Sequence, residues 1–272
     1  MSNKLTSDYL LLQLGLYEPV PFDENSACEL EPLITNFNAI QFDCYCIECK
    51  KESTFKFQSQ RGILTYNMHF PPTVMERLNS YPAPLDFIFK CQRDESHLYS
   101  FMFRIINNEI TKVGQFPSIA SIELHSINKY RKILKNDYRD FSKAIGLHTH
   151  NIGAGSFVYL RRIFENLIEK CRLEALKEAS FNDDTFQQSR MDEKILMLKT
   201  YLPSFLVENR KLYGILSKGI HELDEDTCLE LFPKVKLAIE LILDEKIHQI
   251  EQEEKIQSTK NFISTTVEQL IK

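Results

Sequence analysis

No apolar run in this chain is long enough to cross a bilayer. The N-terminal run Tyr9-Leu10-Leu11-Leu12-Gln13-Leu14-Gly15-Leu16 stops far short of the roughly 20 residues a spanning helix requires. It also lacks a basic flank and a small-residue cleavage site, which argues against a secretory leader. A disulfide framework is missing too. The chain has 7 cysteines, an odd number without paired spacing, and this fits a reducing, cytoplasmic setting with no membrane partner. The loop Gly146–Ser156 has neither the Gly-Lys-Ser/Thr ending of a P-loop nor a third glycine in dinucleotide-binding spacing, so nucleotide binding is not expected. No tandem repeat is evident.

What is present is a pattern of soft metal ligands: Cys46-x2-Cys49, then Cys91-x5-His97. Two close pairs on two turns, separated by a strand-forming stretch, suit a tetrahedral zinc ion. Cysteine also serves as a small buried hydrophobe, and Cys171 and Cys228 fall in apolar helical patterns where that reading suffices. Cys46 and Cys49 instead sit among polar residues ahead of Ser53-Thr54-Phe55-Lys56-Phe57. Cys91 opens the polar turn Gln92-Arg93-Asp94-Glu95-Ser96 between Phe87-Ile88-Phe89 and Leu98–Phe103. Cys44 is an alternative to Cys46 at a looser spacing. Four protein ligands leave no open coordination position, so one structural zinc per chain is expected.

At 272 residues and 43% hydrophobic, the chain has room for two cores. Residues 1–37, punctuated by Pro19, Pro21 and Pro32, read as an N-terminal arm. Residues 38–118 read as a zinc-ribbon-like β domain, with strands at Phe55–Phe57, Ile63–Tyr66, Phe87–Lys90, Leu98–Ile106 and Glu109–Val113, and Asn107-Asn108 as a hairpin turn. Prolines at 71, 72, 82 and 84 confine any helix between them to Val74–Leu78. From Ile119 apolar residues recur at three- and four-residue spacing, so 119–272 reads as a helical domain. Phe157, Leu160, Phe164, Leu167, Ile168 and Cys171 line its first long helix. Ile195, Leu198 and Leu202 mark a second helix, and Val207–Leu216 a third, stopped by Gly219. A fourth is capped by Asp224 and kinked or divided at Pro233. The charged tail from Asp244 carries Ile263, Val267, Leu270 and Ile271 toward a partner or a docked end. The fold class is therefore α+β. Net charge runs −5 over 1–126, +6 over 127–177 and −6 over 178–272. The basic stretch suits a phosphate backbone, or pairs with the acidic segment that follows it.

Chemistry in the helical half centres on Leu216-Ser217-Lys218-Gly219-Ile220-His221-Glu222-Leu223. An imidazole beside a glycine suits proton transfer near neutrality, or else a helix junction. The first long helix offers Arg161 and Arg162, with Glu165 one turn after Arg161.

The run Gly155–Glu165, with Leu216–Leu223 and the helix Cys228–Leu243, resembles a HEPN-type helical domain over roughly residues 140–245. With the zinc module in front, the chain resembles bacterial antiphage zinc-finger RNases of the ring-activated type. The resemblance implies a homodimer or higher homo-oligomer, an RNA substrate cleaved by metal-independent transesterification, and a phage or other protein trigger at the zinc module. It makes His221 the proton-transfer residue. The chain departs from the family's Arg-x4–6-His pattern, because Leu216, Ile215 and Gly214 stand where the arginine belongs. Arg161, Arg162 or Lys218 would then supply the positive charge, with Glu165 beside them. The competing expectation is a non-catalytic, zinc-dependent protein- or nucleic-acid-binding module that dimerises through its helical domain.

Overall fold

The computed structural model describes residues 5–35, 39–61, 73–81 and 84–270. The chain divides into two compact units, Met1–Ser126 and Ile127–Lys272.

The first unit is built on a six-stranded antiparallel sheet. Its strands are β1 (Pro19–Pro21), β2 (Gln41–Cys46), β3 (Lys51–Arg61), β4 (Leu85–Cys91), β5 (Leu98–Ile106) and β6 (Glu109–Phe116), in the spatial order β1-β6-β5-β4-β3-β2. Alternation sets the buried face. In β5, Tyr99, Phe101, Phe103 and Ile105 point inward while the residues between them do not. Register brings Phe89 opposite Tyr99 and Phe87 opposite Phe101, and pairs of this kind are the unit of sheet stability. Phe42 completes the layer, stacked on Phe55 at 5.5 Å and edge-on to Phe89 at 5.0 Å. The β5–β6 hairpin turns at Asn107 and Asn108, both left-handed with φ of 52° and 62°, a conformation asparagine tolerates better than most residues. The strand expected at Ile63–Tyr66 lies outside the described residues.

The stretch read as an arm is built into this unit. A π-helical turn at Tyr9–Gln13, β1 and α1 (Glu24–Thr35) deliver Leu10, Leu11, Leu14, Val20, Ala27 and Leu30 to the sheet's core. Pro19 and Pro21 are accommodated because β1 is an edge strand, where a missing N–H costs no ladder bond, while Pro32 lies inside α1. Helix α2 (Val74–Asn79) begins with a capping box between Thr73 and Glu76, and Arg77 binds Glu31 of α1 at 2.7 Å. Helix α3 (Ile119–Glu123) also belongs here, because Ile122 is buried in the same core. The change of pattern at Ile119 thus marks the first helix after the sheet, and the unit itself ends later.

The second unit is helical: α4 (Arg131–Leu134), α5 (Asp137–Thr149), α6 (Gly153–Ala175), α7 (Asp183–Gln188), α8 (Met191–Met197), α9 (Ser204–Glu208), α10 (Leu212–His221) and α11 (Glu225–Leu270). Helix α6 packs against α5, α10 and α11, and buries the stripe from Phe157 through Cys171. Two expectations change. The third helix breaks between Glu208 and Leu212 instead of at Gly219. Gly219 lies inside α10, where an added Cβ would come within 2.1 Å of the Phe157 ring, so the glycine permits close helix packing. Helix α11 runs unbroken through Pro233. The proline is exposed, on the side where water can satisfy the carbonyl its ring leaves free. Asp224 does cap α11, its carboxylate accepting from the Thr227 amide at 2.7 Å. Among the described residues no helix is long and apolar enough to cross a membrane.

Lys112, on β6, is fully buried. Its ammonium donates to the Leu11 carbonyl and to Gln115 Oε1, both at 2.9 Å, and faces the Phe101 and Phe103 rings. Burial pushes its pKa down to about 7, against roughly 10.4 in an unfolded chain. Between those values the unfolded state binds more protons, so stability rises with pH there and is flat below. Chemical denaturation should show the wild type gaining stability over Lys112→Met from pH 7 to 9.5, by at most about 1.4 kcal/mol per pH unit. Parallel pH profiles for the two proteins would contradict this.

Candidate functional site

Strands β2 and β3 are joined by the turn that carries Cys46 and Cys49, and β4 and β5 by the turn that carries Cys91 and His97. Strand β3 lies between β2 and β4, pairing Lys51 with Cys46 and Phe55 with Cys91, so both turns emerge at one end of the sheet. The local chain shapes each ligand pair. The Lys50 amide bonds to the Cys46 carbonyl at 2.8 Å, and Lys50 is left-handed with φ 56°. The Cys49 amide points at Cys46 Sγ at 3.4 Å, and the Arg93 amide at Cys91 Sγ at 3.4 Å. The longer second turn is closed by the Cys91 amide on the His97 carbonyl at 3.0 Å, with Asp94 holding Ser96 from its side chain.

One ligand atom from each of Cys46, Cys49, Cys91 and His97 lies within 4.8 Å of every other. His97 Nδ1 faces inward, 3.2 Å from Cys49 Sγ and 3.6 Å from Cys46 Sγ. The other ring nitrogen, Nε2, faces Glu48 at 3.3 Å and Asp94 at 3.6 Å, the outer carboxylate arrangement that orients metal-bound imidazoles. Desolvation, together with the neighbouring Cys46 and Cys91 thiols, pushes Cys49 up to about 12. For Cys91 burial acts upward, but the Ser53 hydroxyl and the amides of Asp94 and Arg93 outweigh it and bring the thiol down to about 7. Three thiolates and an imidazole fit a tetrahedral zinc-type ion, and the set is complete without water.

Cys44 stands apart from this group. It is buried in the core two residues before Cys46, and burial pushes its thiol up to about 12. Sequence reasoning missed the supports around the ligands. Ser53 Oγ lies 2.9 Å from Cys91 Sγ. The Tyr99 hydroxyl donates to the Tyr45 carbonyl at 3.0 Å and accepts from the Ile47 amide at 2.9 Å, bracing the first turn. Tyr99 reads as one more inward strand residue, so nothing in the sequence marks this second role.

In the helical unit, three of the five expected catalytic residues meet and two do not. Arg161 on α6 binds Glu165 Oε1 at 2.8 Å through Nε and the Tyr213 hydroxyl at 2.9 Å through Nη2. Its Nη1 lies 3.4 Å from His221 Nε2 on α10. Tyr213 in turn donates to Glu165 at 2.9 Å. Arg162 turns to Asp140 at 3.4 Å and the Tyr159 ring, and Lys218 to Glu222 at 3.7 Å. Tyr213 was missed; it precedes His221 by about two turns of α10, a spacing with no signature of its own. The basic segment is largely engaged inside the unit, through Lys129–Asp244, Lys170–Asp137 and Arg172–Asp183, each at 2.6 Å. The glycine loop offers no anion site, because the Glu225 carboxylate already accepts from the Gly153 and Ala154 amides at the start of α6. His148, stacked on Phe232, is held down to about 4 by burial and by Lys236.

No family model matches the chain, and no curated protein or solved structure matches it.

Pure protein should carry one thiolate-bound divalent ion per chain. Cys49→Ser should lose it and unfold the first unit while the helical signal persists, since structural zinc contributes on the order of 10–16 kcal/mol in small folds. Elemental analysis beside circular dichroism checks this; a metal-free protein with a fully folded sheet would contradict it.

Proposed function

We propose that the first unit is a zinc-stabilised sensing or assembly module and that the helical unit is a HEPN-like ribonuclease of bacterial antiphage defence, working as a self-associated cytoplasmic protein. One observation carries the catalytic reading: a guanidinium and an imidazole, 60 residues apart in sequence, meet at 3.4 Å on neighbouring helices. An arginine N–H only donates, so in this contact His221 Nε2 is the acceptor. In transesterification the ribose 2′-hydroxyl attacks the adjacent phosphorus, the 5′-oxygen leaves, and a 2′,3′-cyclic phosphate remains. His221 takes the 2′-hydroxyl proton or returns one to the leaving oxygen. Arg161, held in place by Glu165 and Tyr213, neutralises the charge that builds on the phosphorane. The arginine missing from the family's usual position is thereby supplied from α6. The zinc ion takes no part in the chemistry; a phage or other protein trigger would act on the module it stabilises.

A second reading has its own observation. Arg161 is already engaged by Glu165 and Tyr213, as a purely structural bridge between two helices would be. On that reading the protein binds protein or nucleic acid without cleaving it.

Purified protein incubated with total RNA, with and without trigger, separates the two. Cleavage should yield 2′,3′-cyclic phosphate ends and fall roughly 10²–10⁴-fold in His221→Ala, the usual cost of removing one proton-transfer group. Arg161→Ala should fall comparably, while Arg162→Ala and Lys218→Ala, whose partners lie elsewhere, should retain activity. RNA left intact under every activating condition would overturn the ribonuclease reading.

A further inference from the structure

The last turns of α11 are exposed to solvent. Every residue from Glu251 to Thr265 is exposed, and so is Val267, about 25 Å of helix at 1.5 Å per residue. From Ser258 onward this segment has little intrinsic helix support. It is rich in Ser258, Thr259, Ser264, Thr265 and Thr266, residues of middling helix propensity. Ser264 and Thr265 turn their hydroxyls back onto the Asn261 carbonyl, and Thr259 onto that of Lys255.

The exposed apolar side chains follow a pattern. Ile256 and Ile263, 47% and 53% exposed, are one heptad apart, with Thr259 and Thr266 at the intervening seam positions. Phe262 and Val267, 69% and 46% exposed, flank them. This is a short coiled-coil seam. Ile256 and Ile263 lie two and three heptads on from Ile242, which is buried, so the seam continues a stripe that is covered earlier in α11.

Charge selects the occupant. The residues flanking the seam are Glu253 and Lys260 on one side and Lys255 on the other, and neither Glu253 nor Lys260 has an ion-pair partner among the described residues. A second copy laid parallel would set Lys255 against the partner copy's lysine at position 260, which repels. A second copy laid antiparallel sets Glu253 against that lysine, and two-fold symmetry repeats the pair. We propose that Glu251–Val267 is a self-complementary strap through which two copies of this chain pair antiparallel. The proposal says where the self-association proposed above is made, and it does not depend on RNA cleavage.

Light scattering on the full-length, metal-loaded protein at micromolar concentration should return twice the chain mass. Ile263→Asp, at an exposed position where misfolding is not expected, should return the single-chain mass with metal content unchanged. Lys260→Glu then reports direction. In the antiparallel pair it opposes Glu253 and raises the dissociation constant, and adding Glu253→Lys restores it. In a parallel pair Lys260→Glu would meet Lys255 and tighten the dimer. A monomeric wild type, an Ile263→Asp protein that stays associated, or a tighter Lys260→Glu dimer each overturns the proposal. None of these results bears on the RNA assay, whose failure would be read separately.

Discussion

Three sulfurs and an imidazole nitrogen held within 4.8 Å of one another are the constraint on which the first unit depends. Crowded thiols resist losing their protons together, and desolvation with the neighbouring Cys46 and Cys91 thiols raises Cys49. A divalent ion bound by all four groups would relieve that resistance and tie the β2–β3 turn to the β4–β5 turn. Strand β3 pairs with both β2 and β4, whose ends carry the two turns, and Phe42, Phe55, Phe89 and Tyr99 form the adjoining aromatic layer. The ligand cluster and the aromatic core are therefore parts of one arrangement. Tyr99 belongs to both, with its ring on Phe55 and its hydroxyl on the first turn.

The helical unit rests on close approach. Gly219 brings α10 onto the Phe157 ring, and Gly153 brings the start of α6 against the Glu225 carbonyl, where a Cβ would come within 2.6 Å. Two contacts without side chains set the position of α6 against α10 and α11. The same packing puts Arg161 beside Tyr213 and His221. In the proposed chemistry the guanidinium needs this fixed placement, because a charge that must reorient during the reaction stabilises the transition state less.

Much of this was legible in the sequence where a residue pattern has one dominant physical cause. The strands alternate, the Asn107-Asn108 turn requires left-handed backbone, and the ligand pairs sit in polar turns, so these features could be placed in advance. Gly219 was misread because a glycine that ends a helix and a glycine that admits a neighbouring ring look alike in one dimension. Pro233 does not divide α11, because the carbonyl its ring leaves free lies on an exposed side where water can meet it. The arm was misread because prolines mark edge strands as well as linkers. Arg161 and Glu165 declared themselves by spacing on one helix, whereas Tyr213 and Ser53 owe their places to tertiary packing alone.

X-ray absorption at the zinc edge, on protein purified without added metal, tests the central claim most directly. The account predicts a four-atom shell of three sulfurs near 2.3 Å and one nitrogen near 2.0–2.1 Å, the usual distances for such ligands, with no oxygen. A shell of four sulfurs would bring in Cys44 and displace His97. A shell of light atoms alone, or no bound zinc, would contradict the account.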